Sequence, residues 1–361
     1  GGEPLAGGRR IDTPFGAVFS SNLTASPTHG LGNWTSHDFE QALRWGRSRD
    51  GRLLLPAFPY NHTSVFTHDD VQAIFSWLQT VKPVELAQPA HRLTWPFGTQ
   101  PAIALWRSLF FKPSTFAANN TQSAEWNRGA YLVQGAGHCA ACHGQRNALG
   151  SFPAIDDLSG SYLSPQMWVA PSLVDATQTA LGQSSTNDIA QLLRTGQSTW
   201  AHASGPMAEF VKHTGQHLTP QDAQAMAVYL KTNLKAPALN AKPLNPVQQA
   251  TSSPAAASLY ATHCASCHGK SGEGKANVYP ALAGNPAVLL AQPDNLIQAA
   301  LYGGYGPSTA GHPRPYGMPP FLFTLNNQQI TDVLNHIRSQ WGNQATPVSP
   351  VQVDRVRAAA Y

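Results

Sequence analysis

The chain has 361 residues, 42% of them hydrophobic and only 12% charged, with 30 glycines and 29 prolines. That length allows two or three domains, and the composition is that of packed cores joined by many turns. The formal charge of +4 comes from Lys and Arg scattered without a basic run, which argues against nucleic acid as a partner. No stretch approaches the roughly 18 to 20 consecutive apolar residues of a spanning helix. The chain starts at Gly1 with neither an initiator Met nor an apolar signal segment, so its beginning is expected to be processed or truncated.

In chain order, a short helix is predicted from Phe39 to the glycine at Gly46. A second runs from Thr67 to Leu78, opening on a capping Thr and carrying an apolar stripe. Between them lies Leu55-Pro-Ala-Phe-Pro-Tyr60. The linker Leu93 to Phe116 is dense in aromatics, with Trp95, Phe97, Trp106, Phe110, Phe111 and Phe116, and Ala102 to Phe111 is predicted as a short apolar helix. Such a segment either packs between the first two domains or presents a docking or membrane-interface surface.

All four cysteines then fall in two copies of one pattern, Cys139-Ala-Ala-Cys142-His143 and Cys264-Ala-Ser-Cys267-His268. Cys-x-x-Cys-His is the attachment signature of c-type haem. Two thiols one helical turn apart reach the two vinyl groups of one porphyrin, and the adjacent His lies under the iron. Gly144 and Gly269 follow, where the chain must leave the haem plane closely. A thioredoxin-like pair would need a βαβ pattern, which surrounds neither site. A structural zinc site would have to join widely separated pairs, and simple disulfides leave both histidines unexplained. Two covalently attached c-type haems, held by Cys139, Cys142 and His143 and by Cys264, Cys267 and His268, are the expectation.

Met is the usual sixth ligand opposite His in electron-carrying cytochromes. Of four methionines, Met226 sits inside the helical run Ala223 to Leu230 and reads as core. Met207, in Ala-Ser-Gly-Pro-Met207, and Met318, in Tyr-Gly-Met318-Pro-Pro, are expected in rigid loops and are the candidate iron ligands; Met167 is a rival for the first haem. The plain alternative for each is a buried Met that packs.

The helices repeat. Thr67 to Leu78, Thr219 to Leu230 and Asn326 to Ile337 align without gaps, and each is preceded by a short helix ending at Gly46, Gly196 or Gly303. Beyond that glycine come Met207 and Met318 in the second and third copies, but Phe58 in the first. Leu5-Ala-Gly7 matches Leu158-Ser-Gly160 and Leu282-Ala-Gly284, which lie shortly beyond His143 and His268, so an equivalent His would precede Gly1. The expected fold is all-α, with three tandem cytochrome c-like domains. They span 1–116, without attachment motif or Met ligand, then 117–245 and 246–345, followed by a tail 346–361. In the tail, Val351, Val353, Val356 and Ala360 stand among Asp354, Arg355 and Arg357, as a weak interfacial helix or an ordered end.

The chain resembles the membrane-associated multihaem cytochrome c subunit of bacterial alcohol, aldehyde, gluconate and fructose dehydrogenase complexes. The resemblance rests on Pro4-Leu-Ala-Gly-Gly8, the Thr13 to Asn22 stretch, Asp50-Gly51 before Pro56-Ala-Phe-Pro-Tyr60, and Trp95-Pro-Phe97. Gly205-Pro-Met-Ala-Glu209, Met318-Pro-Pro-Phe321 and Ile337-Arg-Ser-Gln-Trp-Gly342 complete it. It implies a periplasmic three-haem subunit, peripherally attached to the inner membrane, that passes electrons from a catalytic subunit to ubiquinone. The catalytic partner would be of the pyrroloquinoline quinone, flavin or molybdopterin type. Cys139, Cys142, His143 and Met207 match the family's second site, and Cys264, Cys267, His268 and Met318 its third. Phe58 replaces the Met of the first, so a third haem would require an upstream attachment segment. No substrate-oxidising site is visible: Gly272-Glu-Gly274 lacks the third glycine of a dinucleotide fingerprint. A free-standing periplasmic shuttle and a di-haem peroxidase are the alternatives.

Overall fold

The structure is a computed structural model that describes residues 3–151, 154–164, 166–199, 201–235, 249–276 and 278–359. The domain boundary expected at 245/246, and Ala360, lie outside these residues. By packing, the described chain forms two compact units, one of residues 1–122 and 131–157 and one of 123–130 and 158–361.

In the first unit Thr13-Pro-Phe-Gly16 turns the chain back, with Gly16 at a φ of 120° that side chains avoid. β1 (Arg10–Thr13) and β2 (Gly16–Phe19) therefore pair antiparallel, Ile11 opposite Val18. α1 (Ser36–Trp45) starts with a capping box between Thr35 and Asp38 and ends where Gly46, at φ 56°, takes the left-handed conformation. The single turn α2 (Tyr60–Thr63) carries two fully buried side chains, Tyr60 and His62. α3 (His68–Leu78), capped by Thr67, turns Val71, Phe75 and Leu78 inward, and Phe75 stacks on Phe39 of α1 at 5.3 Å. β3 (Arg92–Leu93) extends the sheet alongside β2. α4 (Gln100–Phe110) is the apolar helix expected in the aromatic linker. It is held in this unit by Trp106 Nε1 donating to the Leu149 carbonyl at 2.8 Å and by Arg107 donating to the Trp45 carbonyl at 2.7 Å.

α5 (Ala124–Tyr131) belongs to the second unit up to Ala130. One π-helical turn, Leu132–Ala136, follows in the first unit and leads to α6 (Ala140–His143). The first unit's own buried groups hold this stretch. His62 Nδ1 bonds the Gln134 carbonyl at 2.8 Å, the Tyr131 hydroxyl bonds Asp70, and Phe116 packs edge-on to Tyr131 at 5.3 Å.

The second unit opens on the hairpin of β4 (Ser161–Leu163) and β5 (Trp168–Ala170). α7 (Thr186–Thr195) repeats the design of α1, a capping box at Ser185 and Asp188 and a left-handed Gly196 at φ 77°. α8 (Gly205–His213) and α9 (Pro220–Thr232) follow. α9 buries Met226, as its place in the apolar stripe predicts. Its first turn is tied to α5 by Arg128 and Asp222 at 2.7 Å, its last by Trp126 and Tyr229 rings at 5.0 Å. Then come α10 (Pro254–His263), α11 (Ala265–His268), α12 (Pro286–Leu289) and α13 (Asp294–Tyr302). The pair β6 (Gly304–Tyr305) and β7 (Gly317–Met318) precedes α14 (Asn327–Ser339) and α15 (Pro350–Ala358).

The repeat is real at the level of caps: Thr67, Thr219 and Asn326 each accept the amide three residues on, from Asp70, Asp222 and Gln329. One expectation is corrected. The fold is not purely helical: among the described residues three small antiparallel sheets form, because the chain folds back at Gly16 and between Leu163 and Trp168 and lays Gly304–Tyr305 beside Gly317–Met318. Of the two readings of the tail, the structure favours the ordered end: Val353 and Val356 of α15 are buried in a core with Ile297, Leu325 and Ile330, while Val351, 77% exposed, faces out. One core group went unforeseen. Arg338 is fully buried and meets no carboxylate; it donates to the carbonyls of Val288, Leu290 and Thr346, and burial lowers its pKa to about 10.

The α5–α9 crossing tests this packing. A Cβ on Gly129 would collide with the Ala225 carbonyl and come within 2.9 Å of Tyr229 Cβ. Gly129→Ala is therefore expected to push the helices apart and cost about 1–3 kcal/mol. A guanidinium denaturation curve with an unchanged midpoint would show that the helices do not cross here.

Candidate haem-attachment sites

At Cys264–His268 the local geometry follows from one helical turn. α11 places Cys264 and Cys267 on either side of a single turn, with His268 as its last residue. His268 Nδ1 lies 2.9 Å from the Pro280 carbonyl. A carbonyl can only accept, so Nδ1 carries the proton and Nε2 keeps its lone pair for a metal. Burial lowers the His268 pKa, which keeps the ring neutral, while the Pro280 bond opposes that shift. The Cys264 thiol is pushed by burial up to about 11 and so is protonated at neutral pH. No disulfide joins any of the four cysteines, so none competes with attachment.

The turn is framed by aromatics. The Tyr260 hydroxyl donates to the Gly269 carbonyl at 2.6 Å, and its ring lies 4.9 Å from Trp341 and 5.2 Å from His336 of α14. Two ring contacts link the attachment turn to the Met318 segment. His263, next to Cys264, packs edge-on to Phe321 at 5.7 Å, and Tyr279 lies 5.5 Å from Tyr316. Met318 is partly buried in β7 rather than in an irregular loop, because β6 pairs with it backbone to backbone. A Cβ on Gly303, at φ 61°, would strike the Met318 carbonyl, so the residue that ends α13 must be glycine.

The other sequence-predicted residues fall in two places. Cys139, Cys142 and His143 are in the first unit, on and just before α6; burial pushes the Cys139 thiol up to about 12. Gly144 is required here, since a Cβ would come within 2.6 Å of the Asp157 carbonyl. Met207 is in the second unit and, contrary to expectation, is helical: Pro206, pre-set for a first helical turn, lies in the first turn of α8 with Met207 next to it, partly buried. Met167 packs against the core containing Ile297 and Leu301, where Gln298 donates to its carbonyl at 2.6 Å.

Whether these residues suit haem can be judged from polar atoms left over. Among the described residues, Thr309 Oγ1, His202 Nε2 and His312 Nε2 are buried in the second unit without a hydrogen-bond partner, and Thr309 is only 5% exposed. Their two loops meet where a side chain on Gly196 would run into Pro307. Buried polar atoms without a protein partner fit a prosthetic group that brings polar substituents of its own. The thiol pairs, the oriented His268 and these polar atoms together fit haem c.

Comparison with known proteins agrees. A family model described as cytochrome c matches residues 127–233 and 254–341. The chain belongs to the cytochrome c family. This cytochrome is 35% identical to the cytochrome c subunit of alcohol dehydrogenase (quinone) from Gluconobacter oxydans, over 99% of this chain and 77% of that one. It is 34% identical to the fructose dehydrogenase cytochrome subunit of Gluconobacter japonicus, over 99% and 78%. It is 35% identical to the gluconate 2-dehydrogenase cytochrome c subunit of Pantoea cypripedii, over 96% and 82%. Its role is electron transfer through covalently bound haem.

The first motif of this cytochrome has neighbours that sequence reasoning missed. His62 is fully buried, and its ring lies 6.4 Å from that of His138, which directly precedes Cys139. Nothing in the sequence marks His62, because its environment is made by a stretch far along the chain. Burial lowers its pKa to about 4. Above pH 6.5 neither the folded nor the unfolded state carries a proton at this ring. Between 6.5 and 4 only the unfolded chain takes one, so stability is full above 6.5, falls as pH drops through that window and levels off below 4. The total is about 3 kcal/mol. Denaturation of wild type and His62→Gln at pH 7, 5.5 and 4 should show this extra acid sensitivity in the wild type alone; parallel curves would refute it.

Proposed function

We propose that this cytochrome is the electron-transfer subunit of a membrane-associated periplasmic dehydrogenase complex, taking electrons from a separate catalytic subunit and delivering them to ubiquinone. The observation that carries the reading is similarity over almost the whole chain to cytochrome subunits of three dehydrogenases that differ in substrate. A cytochrome shared among such complexes relays electrons, and the substrate is chosen by its partner, whether that partner uses pyrroloquinoline quinone, flavin or molybdopterin.

Haem bound here would supply reversible one-electron transfer at iron. Cys139, Cys142, His143 and Met207 would hold one haem and Cys264, Cys267, His268 and Met318 the other. His268 presents Nε2 to its iron because Pro280 occupies Nδ1. A thioether ligand from Met207 or Met318 would favour the ferrous state and raise the potential. Haem held in this way by His and Met side chains would relay electrons and leave no iron position for peroxide or an alcohol.

Within these residues the first repeat offers no Met ligand: Phe58 stands at that place, Tyr60 and His62 are fully buried, and Tyr60 packs between Arg107 and Phe111, each 4.9 Å from its ring. For peripheral membrane attachment the support is α4, which leaves Leu105 63% and Leu109 58% exposed on one face, one turn apart. No helix among the described residues is long and apolar enough to cross a membrane.

Two measurements test this. The mass of these 361 residues, denatured after full maturation, should exceed that of the polypeptide by two haems, one for each Cys-x-x-Cys-His; one haem or none would overturn the attachment sites. Purified chain alone should show no alcohol- or sugar-dependent dye reduction, while the native complex should reduce a ubiquinone analogue, and less so in the Cys264→Ala/Cys267→Ala variant. Substrate oxidation by the isolated chain, or a native protein without a partner, would sink the proposal.

A further inference from the structure

The segment from Met318 to Leu325 is held at three points. Met318 itself pairs with Gly304 of β6. Further on, the amides of Phe321 and Leu322 donate to the carbonyls of Ala300 and Leu301 on α13, at 3.1 and 2.9 Å. The third hold is a side chain from the far end of the chain. Arg357 of α15 donates to the Leu322 carbonyl, to the Leu325 carbonyl at 2.8 Å, and through Nε to Asn327 Oδ1 at 2.7 Å. A planar guanidinium with fixed donor directions can bridge two carbonyls of one bend as a flexible ammonium cannot.

α15 is itself rigidly placed. Val353 and Val356 are buried, Arg355 pairs with the nearly buried Asp294 at 2.6 Å, and the Tyr302 hydroxyl donates to the Val356 carbonyl at 2.6 Å. Asn327 at the start of α14 also donates to Asp354 at 2.9 Å. The fork therefore projects from an element locked to α13 and α14, the helices on either side of the Met318 segment.

We propose that Arg357 is a positioning residue for the Met318 sulfur, fixing through the Leu322 and Leu325 carbonyls the segment that carries it and so keeping the thioether on the iron of the haem at Cys264–His268. This rests on the reading that Met318 is that iron's ligand. Thioether ligation is reversible, so the fraction of time the sulfur is away depends on how freely its segment moves. Losing hydrogen bonds from a charged donor raises that fraction about tenfold.

The test uses the full chain with both haems attached. Ferrous Arg357→Met should bind carbon monoxide at one haem about tenfold more readily than wild type. In the ferric state the same haem should lose part of its sulfur-to-iron charge-transfer absorption and fall in potential, while the other haem is unchanged. Arg357→Lys, which keeps the charge but not the fork, should show a smaller rise, and Met318→Ala should open that iron fully. If Met318→Ala leaves carbon monoxide binding unchanged, the ligand assignment fails. If it opens the iron while folded Arg357→Met behaves as wild type, the positioning role fails and the ligand assignment stands. Should Arg357→Met not fold, Arg357→Lys decides: a rise in carbon monoxide binding supports the role, and wild-type binding overturns it.

Discussion

The second unit is organised around one short hydrogen bond, from His268 Nδ1 to the Pro280 carbonyl at 2.9 Å. A ring that must face a metal on one side has to be held on the other, and a backbone carbonyl does this without introducing a charge that burial would penalise. That carbonyl must stay in place, and the surrounding structure supplies the stiffness. Gly274, at φ 66°, turns the chain back so that its amide donates to the His268 carbonyl at 2.8 Å, and the Leu282 amide returns to Gly272 at 2.7 Å. Tyr260 ties α10 to the same turn, and the α10–α14 packing through Tyr260, His336 and Trp341 closes the unit over it.

The rest of that unit reads as support for a single polar arrangement in an apolar shell. Arg338 shows the cost accepted. A fully buried guanidinium without a counter-charge is tolerable only because it satisfies several carbonyls that would otherwise be orphaned, at the ends of α12 and beyond α14. Arg357 uses the same chemistry nearer the surface. In both cases arginine, rather than a carboxylate partner, joins backbone segments that share no regular secondary structure.

The first unit shows the contrasting solution. There Phe58 is 37% exposed, while Tyr60, His62 and Phe66 of the same stretch are buried. Neutral His62 bridges to Gln134 in the π-helical turn, so the first repeat braces the approach to Cys139. Extra residues in that turn are absorbed by widening the helix for one turn, a distortion common at functional sites.

Much of this was legible in the residues themselves. Cys-x-x-Cys-His dictates its chemistry by spacing alone. Caps at Thr67, Thr219 and Asn326, with glycines at Gly46, Gly196 and Gly303, define helix ends because both act through backbone groups within one turn. What local sequence could not carry were relations between distant segments. Met207 became helical because Pro206 is pre-set for the first turn of a helix there. Met318 became a strand because β6 lies alongside it. The apolar tail residues went inward because a core containing Ile297 and Leu325 was open to them. Pro280, His62, Arg338 and Arg357 have no motif at all, since a backbone carbonyl or a buried charge has meaning only in the company of the groups that surround it. Spacing along the chain pointed to the atoms proposed to bind haem; packing between distant parts of it decided how those atoms are held.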